Sequence, residues 1–173
     1  DINGNDRVNI TGVIDRVDIF SHGDKSFLRV VDYKTGTRTF TRHNAEYGIN
    51  AQMLMYLFAL CDANKNCLPG GVSYTPAKIS GALGDRTGAF TILSAAHRQS
   101  GMYVSDEDTT EEMNRYADSV IDGVARENGA ETIPDDKRAR ERAKYLPPEE
   151  NIMERETDFE EFRQKVMGTL RDN

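Results

Sequence analysis

Two aspartates stand where an apolar strand residue would be expected. In Gly12-Val13-Ile14-Asp15-Arg16-Val17-Asp18, and again in Val30-Val31-Asp32-Tyr33-Lys34-Thr35-Gly36, a Val/Ile-rich run is interrupted by a carboxylate. The second run adds a lysine two residues on. A buried carboxylate is costly unless a cation pairs with it or it ligates a metal. Under strand alternation Asp15 shares a face with Val13, Val17 and Ile19, and Asp32 shares one with Leu28, Val30 and Lys34. If the two runs form a hairpin those faces coincide, and two carboxylates with one lysine come together as a metal site. The plainer alternative is structural: each aspartate bonded to Arg16, Arg29 or Lys34. Asp18 falls on the opposite face, with Arg16 as its natural partner. Further on, Gln52 and Tyr56 are four residues apart, neighbours on the flank of any helix that carries them.

The elements that must position these residues are legible in outline. Residues 8–20 read as a strand, 21–25 as a turn, and 26–34 as the returning strand of an antiparallel hairpin. Residues 46–63 predict a helix whose Ile49, Met53, Leu57 and Leu60 form an apolar stripe, ended by Asn64-Lys65-Asn66. Pro69-Gly70-Gly71 leads into a strand at 72–75. A hairpin, a helix and a further strand define an α/β or α+β core with the helix as crossover. Residues 79–101 are rich in Gly and Ser around a short strand-like piece at 89–93. Thr109 with Glu112 resembles a capping box opening a helix striped by Met113, Tyr116, Ala117, Val120 and Val124. Residues 127–156 read as a loop or a peripheral, partly helical insertion. Its basic residues at 137–144 are interleaved with acids, so it reads as a solvated face before a phosphate binder. A second box, Thr157 with Glu160, opens a terminal helix using Phe159, Phe162, Val166 and Leu170.

Composition narrows the class. At 173 residues, 38% hydrophobic and 29% charged, the chain supports a single domain with a real core at 1–173. It divides into a core over about 5–100 and a C-terminal helical part over about 105–173. No run approaches the roughly 20 apolar residues of a membrane helix, and no signal peptide is apparent. Cys61 and Cys67 are the only cysteines, too few for a disulfide framework or a structural zinc site, so a cytoplasmic, reducing origin is expected. The chain begins without methionine, in a polar, turn-like stretch, and reads as a piece of a longer protein. The net charge of −7 counts against nucleic acid as a partner on totals alone. A metal-dependent site, however, concentrates carboxylates, and the distribution of charge matters more than its sum.

Taken together, "ID" on one strand, "DYK" on the next and "QxxxY" on the following helix resemble the PD-(D/E)XK nuclease superfamily, in its RecB-like branch. The longer phrases GVIDRVDI, LRVVDYKTG, GINAQMLMYLFAL and PGGVSYTPAK are similar to the C-terminal nuclease domain of the AddB family, the second subunit of AddAB helicase–nucleases. HRQSGMYVSDED and ETDFEEFRQKVMGTL extend the likeness to most of the chain, weakest across 127–156. The resemblance implies a restriction-endonuclease-like α/β fold, a mixed central β-sheet flanked by helices, truncated at its N-terminus. It implies a Mg²⁺-dependent deoxyribonuclease (Mn²⁺ as substitute) acting as an exonuclease on single-stranded DNA, partnered by an AddA-type helicase–nuclease subunit, in bacterial double-strand-break repair and recombination. Asp15, Asp32 and the backbone carbonyl of Tyr33 would ligate the metal. Lys34 would orient or help deprotonate the attacking water, and Gln52 and Tyr56 would brace the site or touch the DNA. The family pattern also includes an upstream helix with another ligand, which would precede residue 1, and a [4Fe–4S] cluster on cysteines outside this stretch. Two alternatives accompany this reading: a catalytically silent DNA-binding or subunit-scaffold domain, and another RecB-like nuclease such as Cas4.

Overall fold

The computed structural model describes residues 11–36, 38–77, 100–104, 107–127, 133–143, 146, 149–153 and 156–172. Its centre is a parallel pair of strands. The run Phe27-Leu28-Arg29-Val30-Val31 inside β2 (Lys25–Lys34) is buried on both faces apart from Arg29, the pattern of a strand covered from both sides. β3 (Cys67–Pro76) lies parallel to it. Parallel neighbours need a crossover, and α2 (Gln52–Ala63) supplies it, placing Met53, Leu54, Leu57 and Phe58 in the core. β1 (Arg16–His22) pairs antiparallel with β2, β4 (Ser100–Val104) antiparallel with β3, and β5 (Ile152–Met153) parallel with β4, giving a mixed sheet ordered β1-β2-β3-β4-β5. This is the mixed, helix-flanked sheet expected of the restriction-endonuclease-like α/β class.

Several boundaries differ from the sequence reading, each for a physical reason. The first strand starts at Arg16 instead of residue 8: residues 11–14 are irregular, and 1–10 lie outside the described residues. The hairpin loop is only two residues long, and Gly23, at φ 57°, supplies the backbone handedness such a loop needs. The helix expected over 46–63 begins only at Gln52, and a separate short helix precedes it. α1 (Arg42–Glu46) is capped by the Thr41 hydroxyl accepting from Asn44 N. A turn carrying Gly48 at φ 77° and Asn50 at φ 59° then separates it from α2. Both positions are left-handed, where a helix cannot continue, and Ile49, expected on the buried stripe, is 54% exposed. β3 begins five residues before the expected strand, because Pro69-Gly70-Gly71 is inside it. The register slips there, Leu28 facing Pro69 and Arg29 facing Gly71, which leaves Gly70 as the bulge residue. Gly71 has φ 141°, and a Cβ on it would overlap the Met102 carbonyl of β4. The strand-like piece at 89–93, the Thr109/Glu112 side chains and the side chains of Met113, Tyr116 and Val124 lie outside what is described.

Beyond the sheet, α3 (Glu107–Glu127) buries Ala117 and Ile121. The charge-dense run forms a helix, α4 (Asp135–Arg142), with no buried residue. It is tied to α3 by Arg142 on Asp118 (2.5 and 2.7 Å) and Arg138 on Asp122 (2.8 Å). α5 (Glu156–Asp172) returns to the main core through Phe159, Phe162 and Val166, with Phe159 edge-on to Phe58 of α2. Asn151, just before β5, is 1% exposed. It accepts from Arg42 N at 2.9 Å and donates to Phe40 O at 3.0 Å, standing in for a strand partner beside α1.

Candidate active site

The site lies at the C-terminal end of β2, where the parallel pair and its crossover helix open outward. Successive side chains alternate, so Asp32 and Lys34 share the face on which Leu28 and Val30 meet α2. Arg16 is paired with Val31. Continued one step, that register places Asp15 across from Asp32, with Asp15 at a bend just outside the ladder. Asp15 is exposed and Asp32 half-buried, its side chain 23% accessible. The register thus sets the two aspartates named from the sequence opposite each other, and Lys34 Nζ lies 2.5 Å from Asp32 Oδ2.

Asp15 has a second attachment. Its Oδ2 accepts from the backbone N–H of Tyr33 at 2.9 Å. That bond replaces a ladder bond where β1 has not yet begun. In an extended strand the N–H and C=O of one residue point to the same side, and those of the next residue to the other. Lys34 O accepts from Ala77 N at 2.8 Å on the β3 side, so the Tyr33 carbonyl faces the Asp15 side. Two carboxylates and a backbone carbonyl are hard oxygen donors of the kind Mg²⁺ takes while keeping several waters. Among the described residues no group of three or more His, Cys, Asp or Glu side chains gathers to hold a metal.

Gln52 Nε2 donates to Tyr56 Oη at 2.9 Å, one turn apart at the start of α2. The Tyr56 phenol lies against Gly12, three residues before Asp15, and a Cβ there would overlap it. The helix pair therefore touches the chain as it enters the site. The pair was legible in the sequence; its packing on Gly12 was not.

One neighbour escaped the sequence reading. Tyr74 of β3 stands opposite Asp32 in the parallel register, and Lys34 Nζ lies 5.8 Å from its ring centroid. Burial, and then the negative charge of Asp32, raise the Tyr74 phenol above its ordinary pKa of 10.0, so it stays protonated. Only the register, shifted by the bulge at Gly70, reveals this neighbour.

Asp18 lies on the opposite face, as alternation implied. It is held by Arg16 (2.7 and 2.9 Å) and by Arg29 (2.6 and 3.1 Å). Burial alone would raise its pKa. The hydrogen bonds from Arg16 and then Arg29 outweigh that and keep the carboxyl below its ordinary value. His43 is exposed, edge-on to Tyr47. Cys61 and Cys67 are free thiols, and burial pushes Cys61 up to about 11. No described helix is long and apolar enough to cross a membrane.

Asp32 and Lys34 thus stand at the end of one strand of the parallel pair at the centre of a mixed sheet, with Asp15 across from Asp32. The sequence profile of the PD-(D/E)XK nuclease superfamily matches residues 1–171, and the chain belongs to that superfamily. It is similar to bacterial proteins of the AddB type, each named as a subunit of an ATP-dependent helicase/deoxyribonuclease. The one from Acetivibrio thermocellus is 39% identical over 79 residues, 43% of this chain and 7% of the relative. The one from Clostridioides difficile is 32% identical over 125 residues, 67% of this chain and 10% of the relative. The one from Pediococcus pentosaceus is 42% identical over 76 residues, 44% of this chain and 6% of the relative. The matches span a tenth or less of the length of these relatives.

Proposed function

We propose that the chain is the nuclease module of an AddB-type subunit, a Mg²⁺-dependent exonuclease cutting single-stranded DNA delivered by a helicase partner. The observation that carries this reading is the placement of Asp15 across from Asp32 with Lys34 2.5 Å from Asp32. The names of the relatives, which join a helicase to a deoxyribonuclease, support the substrate and the partner. Asp15, Asp32 and the Tyr33 carbonyl would hold the ion. A bound Mg²⁺ supplies charge stabilisation at the phosphate and a water of lowered pKa.

The remaining work falls to the chain itself. Asp15 keeps one carboxylate oxygen for ligation while the other fixes the Tyr33 N–H. Lys34, held by Asp32 and Tyr74, points a positive charge at the same face, where it orients the attacking water and stabilises charge developing on the phosphate. Gln52 and Tyr56 hold the chain entering Asp15 and line the approach for the strand.

The test is cleavage of labelled single-stranded DNA in Mg²⁺ and in EDTA, beside the Lys34→Ala variant. The reading expects cutting in Mg²⁺ only, and a loss of about 10²-fold or more in the variant. Cleavage that survives EDTA or Lys34→Ala would sink it. Binding of the strand without cleavage, in the presence of the helicase partner, would instead establish a scaffold domain.

A further inference from the structure

We infer that Arg16 and Asp18, on the face of the sheet opposite Asp32 and Lys34, are positioning residues that fix the Tyr33 peptide from behind. The consequence drawn for the site rests on the metal reading proposed above; the positioning itself rests on geometry.

Tyr33 is gripped at two places. Its N–H is held by Asp15 at 2.9 Å. Its phenol Oη accepts from Arg16 Nη1 at 2.7 Å, and the Arg16 guanidinium carbon lies 5.8 Å from the ring centroid. Arg16 is not a free arm. Its other two nitrogens are committed to the two oxygens of Asp18, at 2.7 and 2.9 Å. Asp18 is in turn anchored by Arg29, its direct cross-strand partner on β2, at 2.6 Å. The chain of contacts runs from the middle of the hairpin, Asp18–Arg29, through Arg16 to the tip of Tyr33.

The arrangement has a mechanical reason. On the β1 side Tyr33 lies beyond the end of the strand, so the Asp15 side chain replaces a backbone partner there, while β3 pairs with it through Thr75 on the other side; the residue is 40% exposed. On that edge a single side-chain bond holds the peptide, and such an edge opens more readily than a continuous ladder. The planar guanidinium of Arg16 can grasp a carboxylate in a fork and still present a third N–H to the phenol. It thus transmits the rigidity of the paired hairpin to Tyr33, whose carbonyl faces Asp15 and whose neighbours are Asp32 and Lys34. An exposed ion pair serving stability alone contributes little and needs no phenol at its end. Lysine at position 16 cannot make these three bonds in one plane.

The test uses the whole chain with Arg16→Lys, Tyr33→Phe and the distant control Lys65→Ala. Two readouts apart from activity are taken: amide hydrogen exchange at Tyr33 by NMR, and Mn²⁺ affinity by EPR titration. The first two variants are expected to exchange the Tyr33 amide about fivefold faster or more and to bind Mn²⁺ correspondingly more weakly. Val30 exchange and the melting temperature should match those of the control. Unchanged Tyr33 exchange in both variants would overturn the inference. So would faster exchange with unaltered Mn²⁺ affinity, since the contact would then be structural only. Failure of the unsubstituted chain to bind Mn²⁺ at all is a separate result: it overturns the metal reading itself, and with it the role given to Arg16 in the site.

Discussion

At the scale of the residue, charges of opposite sign are arranged on the two faces of one hairpin. Asp32 and Lys34 face α2, while Asp18, Arg16 and Arg29 lie behind. Asp18 titrates below its ordinary value of 3.8 because its two arginines outweigh its burial. A carboxyl with a depressed folded pKa contributes stability that is fully present above its unfolded pKa and is lost as pH falls through the folded one. Asp18→Asn should therefore lower stability at neutral pH and flatten the fall in stability on acidification below about pH 4. Denaturant melts of both forms at a series of pH values check this. Identical acid limbs would mean that the Asp18 pairs contribute nothing. Much of this scale was legible in the sequence, since strand alternation alone separates Asp15 and Asp32 from Asp18. Tyr74 and the Arg16–Tyr33 link were not, because both depend on which residues of different strands come to rest side by side.

At the scale of the element, α2 and α4 contrast. α2 is held by core residues and carries Gln52 and Tyr56 to the site. α4 buries nothing and is attached through Arg138 and Arg142 to Asp118 and Asp122 of α3. Its attachment is electrostatic and open to screening. Arg142→Ala should make residues 135–142 exchange amide hydrogens faster and become more open to proteolysis at high salt. The melting temperature of the core should change by no more than about 2 °C, the scale of a surface pair. Hydrogen exchange followed by mass spectrometry, with a thermal melt beside it, measures both; loss of the whole fold would contradict the peripheral role of α4. In the charged run read from the sequence as a solvated face, Arg138 and Arg142 are committed to acids of α3. The break between α1 and α2 was hidden, because the apolar period runs on through Ile49 while Gly48 and Asn50 turn the chain. β4 and β5 were hidden for another reason. Short edge strands carry little pattern of their own, and their place is fixed by distant partners: Gly71 against Met102 and Tyr103, and Asn151 against Phe40 and Arg42.

At the scale of the molecule, a mixed sheet places a parallel pair at its centre and opens the site at the end of β2, beside the start of the crossover helix. That is where ligands bind in open α/β sheets. The net charge of −7, which argued against nucleic acid, counts Asp15 and Asp32, the carboxylates that would ligate a divalent cation. The total is therefore a poor guide to what the open end of β2 attracts once a divalent cation is in place. On the proposed function Asp32, across from Asp15 and paired with Lys34, is indispensable to phosphodiester cleavage. That requirement is tested most directly by the rate at which the protein carrying Asp32→Ala cuts labelled single-stranded DNA in Mg²⁺, relative to the unsubstituted protein. A fall of about 10²-fold or more, with the melting temperature retained, is the expected result. A rate within a few-fold of the unsubstituted protein would contradict the account.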